Sequence, residues 1–197
     1  MKSDSSPELK IHVLPGGKMP KRQTLGAIGY DVHVRGIVSP WEMEPKNQHL
    51  RKMLFNFGDV VDQSVERFID KRVCEKRCRA EPVYRLEPGR RVLCGIGFAT
   101  EMPFPLCYLT LCRSGLASKH DIMVANGPGT IDPDYRGEAG IILFNTGDES
   151  FYLYRNMRIA QILFIYAVIP QIKRVKRYDH LDLTPRGPGG FGSTGLR

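Results

Sequence analysis

No stretch of the sequence holds the long uncharged apolar run that a membrane-spanning helix requires, and Met1 to Pro7 lack the apolar centre of a secretory signal. These absences predict a soluble, intracellular protein, cytoplasmic by default. Cysteine is scarce and odd in number: Cys74, Cys78, Cys94, Cys107 and Cys112 form no compact disulfide spacing, so reduced thiols are expected. Cys74 and Cys78 share one helical face, but no second pair follows to complete a zinc set, and semi-buried structural thiols are expected there. Acidic residues are in the minority, 21 against 29 Lys and Arg, which leaves a net charge of +8. Such a surplus suits nucleic acid or a polyanionic substrate. The basic clusters around Lys173–Arg177 and Lys71–Arg79 come with no recognised nucleic-acid module, so they read as solvated surface and nucleic-acid binding is not expected.

What is present fits an ordinary globular body. The 197 residues suffice for one domain with an appended subdomain, and 42% hydrophobic against 25% charged residues allows a real core. Leu9, Ile11 and Val13 alternate with polar residues as in a half-buried strand, closed by Pro15-Gly16-Gly17. Tyr30, Val32 and Val34 line one face of a second strand, with Asp31 and His33 on the other. Between residues 39 and 80 the pattern changes. Leu50, Met53, Leu54 and Phe57 fall at helical spacing, and Val61, Val65, Phe68, Ile69 and Val73 continue that period after Gly58, so two amphipathic helices are predicted, with Trp41 as their anchor. Strands resume from Val83, over Arg91–Gly97, Tyr108–Leu111, Ile141–Phe144, Phe151–Leu153 and Arg158–Ile169.

Three stretches carry chemistry. Asn126-Gly127 and Pro128-Gly129 are turn dipeptides, Thr130-Ile131 reads as a short strand, and Asp132-Pro133-Asp134 as a further turn before the apolar strand, so a hairpin with acid and aromatic groups at its mouth is predicted. A carboxylate there suits water activation, although Asp-Pro also serves simply as a turn former. Arg113-Ser114-Gly115 offer a guanidinium, a hydroxyl and a bare amide, a plausible phosphate cradle. The tail from Thr184 has glycines at 187, 189, 190, 192 and 195, which lets backbone amides wrap an anion.

Gly26-Ala27-Ile28-Gly29-Tyr30-Asp31, Cys112-Arg113-Ser114-Gly115-Leu116-Ala117, Asn126–Asn145, Arg158-Ile159-Ala160-Gln161 and Arg186–Gly195 together resemble, in order, the five motifs of the trimeric deoxyuridine triphosphatases, the dUTPases. The resemblance implies a mainly β, jelly-roll-like subunit. Residues 1–38 and 81–183 would form its β domain, 39–80 a helical insert, and 184–197 a mobile arm closing the site. It implies hydrolysis of dUTP to dUMP and pyrophosphate by a homotrimer whose sites are shared between chains. By the same resemblance Asp132 activates the attacking water and Asp31 holds Mg2+ through water. Asn126, Gly129, Thr130 and Ile131 read uracil, while Tyr135 packs under the deoxyribose. Arg113, Ser114, Gly115 and Gln161 serve the phosphates. Arg186 touches the γ-phosphate, Phe191 stacks on uracil, and Gly192, Ser193 and Thr194 complete the cradle. Cys112 and Pro188 depart from the usual residues. Two other readings stand beside this one. A dCTP deaminase of the same fold would need a glutamate where Ile142 stands, and a nucleotide-sensing interaction protein would use the insert to dock a protein partner.

Overall fold

The structure is a computed structural model that describes residues 7–57 and 83–190. The chain divides into two compact units, Met1–Ala167 and Val168–Arg197. In the first unit the strands are β1 (Lys10–Val13), β2 (Tyr30–His33), β3 (Gly36–Glu44), β4 (Asn47–Asn56), β5 (Val83–Leu86), β6 (Arg91–Gly95), β7 (Phe98–Glu101) and β8 (Leu106–Leu111). A helix α1 (Ser114–His120) follows, then β9 (Ile122–Val124), β10 (Gly129–Ile131), β11 (Gly140–Asn145), β12 (Phe151–Tyr154) and β13 (Arg158–Tyr166). They pair as a four-stranded sheet in the order β10-β8-β13-β2, a five-stranded sheet β4-β3-β6-β11-β9, and two ribbons, β1-β7 and β12-β5. The mainly β expectation holds.

Period-two burial makes these strands. In β11 the residues alternate strictly, Ile141, Leu143 and Asn145 inward and Gly140, Ile142 and Phe144 half-buried. β13 buries Ile159, Ala160 and Ile162 and is paired on both sides, antiparallel to β2 and to β8. The inward faces converge on Val32, Ile96, Phe98, Tyr108, Ile141, Leu143, Leu153 and Ile162, all at most 1% exposed. Each such large side chain contributes about 1.5–3 kcal/mol by leaving water.

Three expectations need correction. The stretch carrying Leu50, Met53, Leu54 and Phe57 is strand β4, paired antiparallel with β3, and not a helix. Arg51, Met53, Phe55 and Phe57 point one way, and the competing period of two wins because Met53 and Phe55 find a partner on β3 and its flank. Leu54, needed by the helical stripe, is 57% exposed. Trp41 anchors nothing among the described residues: it is 89% exposed. It lies in a bulge where β3 spends the residues between Val38 and Met43 against Lys52 alone on β4. Ser39 Oγ accepts from the amides of Trp41 and Glu42 and so stabilises that bulge. The second predicted helix, Cys74 and Cys78 lie outside the described residues.

The third correction concerns the hairpin. β10 and β11 do not pair with each other; β10 adds to β8 and β11 lies between β6 and β9. The turn after β10 therefore passes from one sheet to the other. Helix α1 was not foreseen, because Ser-Gly at its start reads as loop. β13 ends at Tyr166, short of Ile169. Among the described residues of the second unit, one 3-10 turn covers Tyr178–His180, and Val168, Ile172 and Leu183 are exposed. Among the described residues no helix is long and apolar enough to cross a membrane.

Candidate active site

β10 builds the first half of the site. Gly129 faces Thr110, Thr130 faces Leu109 and Ile131 faces Tyr108 across the ladder with β8. Thr110 Oγ1 accepts from the Gly129 amide at 3.2 Å and donates to the Gly129 carbonyl at 3.3 Å. A Cβ on Gly129 would stand 2.7 Å from that hydroxyl and 2.8 Å from Asn126 Nδ2, so the glycine is imposed by the fold. Asn126 is thus folded over β10, and the strand presents backbone with little side chain in the way.

Asp132 follows directly and is exposed. The Tyr135 amide donates to the Asp132 carbonyl at 3.2 Å, which closes the turn. Tyr135 is fixed at its far end by its hydroxyl, which donates to the Glu138 carbonyl at 3.0 Å. Arg136 ties the turn to β7, donating to the Pro133 and Thr100 carbonyls. The buried Cys107 thiol near this turn is pushed up from its ordinary pKa by burial first and by the Asp132 charge second.

The second half is a charge cluster at the other end of β8. Asp31, 9% exposed, faces Gln161 across the β2–β13 ladder. Arg113 Nε lies 3.2 Å from Asp31 Oδ1, and Arg158 Nη1 lies 2.9 Å from Oδ2. Arg113 also donates to the Arg158 carbonyl at 3.0 Å. Gln161 Nε2 donates to the Cys112 carbonyl at 3.0 Å and so steadies the turn that delivers Arg113. A Cβ on Gly29 would come within 2.5 Å of Gln161 Oε1, which explains the glycine before Tyr30. Ser114 and Gly115 open α1 and are exposed; nothing lies within 4 Å of a Cβ added at Gly115. His33, beside this cluster, has its pKa lowered by burial and then by the Lys18 charge.

Residues that the sequence did not single out join the two halves to the body. Glu138 is 1% exposed and accepts from two of the three Arg35 guanidinium nitrogens, Nε at 2.8 Å and Nη2 at 2.6 Å. Its Oε1 accepts from the Gly97 amide at 2.8 Å, and its own amide donates to the His49 carbonyl. No local pattern marks this pair, because its members stand 103 positions apart. Among the described residues no cluster of three or more His, Cys, Asp or Glu could cage a metal ion. Arg186, in the second unit, donates to the Gly189 carbonyl. Phe191, Gly192, Ser193 and Thr194 lie outside the described residues.

An exposed acid on a fixed turn, an edge strand and a paired-arginine cluster are features of the kind that phosphoanhydride hydrolysis could use. A family model described as dUTPase matches residues 79–195. The deoxyuridine 5'-triphosphate nucleotidohydrolase of Gloeothece citriformis is 47% identical over 111 residues, 56% of this chain and 74% of that protein. That of Chlamydia trachomatis is 44% identical over 115 residues, 58% of this chain and 77% of that protein. The chain belongs to the dUTPase family. Among solved structures, the dUTPase of Staphylococcus bacteriophage 80alpha with dUpNHpp superposes with a TM-score of 0.65 at 20% identity, covering 96% of this chain and 99% of that one. A dUTPase from phage phi11 of S. aureus, described for its coordination of a structural Mg(II) ion, does so at 0.59 and 16% identity, covering 87% of this chain and 99% of that one. Ile142, where a deaminase would need a carboxylate, is an aliphatic residue in the middle of β11.

Proposed function

We propose that this protein hydrolyses dUTP to dUMP and pyrophosphate, with Asp132 as the base. The observation that carries the reading is the pairing of an exposed Asp132 with a pinned Tyr135 on one turn, next to the bare edge of β10. Asp132 takes a proton from water, and the water oxygen bonds to the α-phosphorus. The bond from that phosphorus to the α,β-bridging oxygen then breaks, and pyrophosphate leaves with the electron pair.

Uracil is read by Asn126 and by the backbone of Gly129, Thr130 and Ile131, where an added methyl has no room and a lost polar partner leaves a donor unpaired. The Tyr135 ring lies under the deoxyribose and denies space to a 2′-hydroxyl. Arg113, Ser114 and the Gly115 amide hold phosphate oxygens, with Gln161 fixing the turn that bears them. For Arg186, Phe191, Gly192, Ser193 and Thr194, a part in nucleotide binding is supported by the resemblance of the tail to the fifth family motif alone.

The strand register supports a site shared between copies. Asp132 lies one residue past the Ile131–Tyr108 pair, and Arg113 stands five residues along the chain from Tyr108. Because the strands run antiparallel, these offsets add to six residues, which at about 3.3 Å each places them on the order of 20 Å apart within one subunit. One triphosphate is better served by the Asp132 of one copy and the Arg113 of another, as in a homotrimer.

Asp31 suits Mg2+ only as an outer partner, since both its oxygens already accept from guanidinium groups. Its remaining lone pairs can receive a metal-bound water, which fits an ion that keeps most of its hydration shell. A magnesium ion bound there would supply charge neutralisation for the departing pyrophosphate. Arg113 and Arg158, held by Asp31, supply the protein's own share of positive charge.

The test is pyrophosphate release from dUTP, UTP, dTTP and dCTP, with Asp132→Asn alongside. Release from dUTP alone, lost in the variant while nucleotide binding persists, is expected. Equal turnover in the variant would end the assignment of Asp132.

A further inference from the structure

We infer that the buried Arg35–Glu138 pair is a specificity-positioning device, which sets discrimination against ribonucleotides by holding Tyr135 from beneath. The inference rests on the dUTP-hydrolase reading, in which Tyr135 packs under the sugar. Tyr135 curls back over its own turn. Its hydroxyl donates to the Glu138 carbonyl at 3.0 Å and stands 2.5 Å from where a Cβ on Gly137 would be. While that hydrogen bond holds, the position of the ring follows the main chain at Glu138.

That main chain is held from three directions. The Glu138 carboxylate takes a two-pronged hydrogen bond from Arg35, and its Oε1 also accepts the Gly97 amide at 2.8 Å. The Glu138 amide donates to the His49 carbonyl on β4 at 3.3 Å, and the Arg35 amide donates to the Gly95 carbonyl at 2.9 Å. Gly95 leaves the space the carboxylate occupies, since a Cβ there would lie 2.5 Å from Glu138 Oε1. The Glu138 side chain is 0% exposed and that of Arg35 11%. A buried pair of this kind adds little net stability over a well-packed apolar substitute, whereas its planar fork fixes geometry in a way that apolar packing does not. What it fixes here is the carbonyl that carries Tyr135. Rejection of a 2′-hydroxyl is steric, and steric rejection works only against a wall that does not yield.

The experiment measures kcat and KM for dUTP and for UTP in the full chain and in Arg35→Met, Glu138→Gln, Tyr135→Phe and the Tyr135→Phe/Arg35→Met double variant, with thermal unfolding of each. The ratio of kcat/KM for dUTP to that for UTP is expected to fall about 10-fold in Arg35→Met, mainly because UTP turnover rises. Tyr135→Phe, which leaves the ion pair intact but cuts its link to the ring, is expected to give a similar fall. The double variant should lose no more than either single one, as for residues acting through one contact. A ratio unchanged in Arg35→Met despite a lower melting temperature would make the pair purely structural and overturn the inference, and so would losses that multiply in the double variant. Should Arg35→Met not fold, Glu138→Gln, which keeps the carbonyl and the side-chain volume, takes its place in the comparison. Failure of the unaltered protein to release pyrophosphate from dUTP would instead strike the underlying hydrolase reading.

Discussion

Two glycines of the candidate site offer a controlled pair, because the same added methyl meets opposite surroundings. At Gly115 no atom of the described residues beyond its chain neighbours and its own helix backbone lies within 4 Å of the new Cβ, and the position is helical. Alanine there gains about 0.5–1 kcal/mol over glycine from backbone entropy. The melting temperature of Gly115→Ala should therefore hold or rise by roughly 2–4 °C for a domain of this size. If phosphate approaches that amide, however, the methyl stands in the ligand's path. Losing one hydrogen bond to a charged group costs about 1.5–3 kcal/mol, or roughly 10- to 100-fold in kcat/KM. At Gly129 the methyl would press on Thr110 Oγ1 at 2.7 Å and Asn126 Nδ2 at 2.8 Å. Overpacking of that kind costs about 1–3 kcal/mol, so Gly129→Ala should lose stability and, by moving the β10 wall, up to about 100-fold in kcat/KM. Pyrophosphate-release kinetics and scanning calorimetry on the same preparations, at one protomer concentration, separate the two cases. Wild-type kcat/KM in Gly115→Ala would refute a phosphate contact at that amide. An unchanged melting temperature in Gly129→Ala would refute the crowding argument.

Other variants probe the remaining supports. Asp31→Asn removes the shared charge, and one of the two acceptor oxygens, from Arg113 and Arg158, whose side chains are 25% and 42% exposed. Solvent restores part of the lost pairing, so the urea midpoint should fall by the equivalent of about 1–3 kcal/mol, less than the 3–5 of a fully buried pair. Gly95→Ala drives a methyl against Glu138 Oε1 and should cost about 3 kcal/mol by calorimetry, the range for breaking a buried charge pair. Burial pushes the Cys94 thiol far up and that of Cys107 up from an ordinary value of 9.0. The fold therefore disfavours both thiolates: stability is full below pH 9 and declines above it, and a denaturation series across that range should bend downward. Iodoacetamide at pH 8 should spare both thiols in the native protein, and Asp132→Asn should speed labelling of Cys107 relative to Cys94.

The strands around the site were legible because their apolar residues either alternate with polar ones, as in Tyr30–Val34, or form a short continuous run, as in Ile141–Phe144, and because the turn residues at Asn126–Gly129 and Asp132–Asp134 have local reasons to turn. Local patterns do not say which strands pair. Thr130-Ile131 and Ile141–Phe144 read as one hairpin, yet each found a better-matched neighbour, β8 for the first and β6 and β9 for the second. Leu50–Phe57 satisfied a helical and an extended period at once, and pairing with β3 decided between them. The ordered motifs pointed to Asp132, Tyr135, Arg113 and Asp31, but the Arg35–Glu138 pair has no signature short of the fold, being a long-range contact between residues unremarkable in isolation.

The exposed bulge on β3 has a practical consequence. Trp41 is the only tryptophan in the chain, and at 89% exposure its indole is surrounded by solvent in the folded subunit. Its fluorescence should emit near the wavelength of a free indole in water and change little when the core melts. The usual optical signal of unfolding will be almost silent in this protein, while anything that comes to rest on the β3–β4 ribbon will shift the emission to the blue.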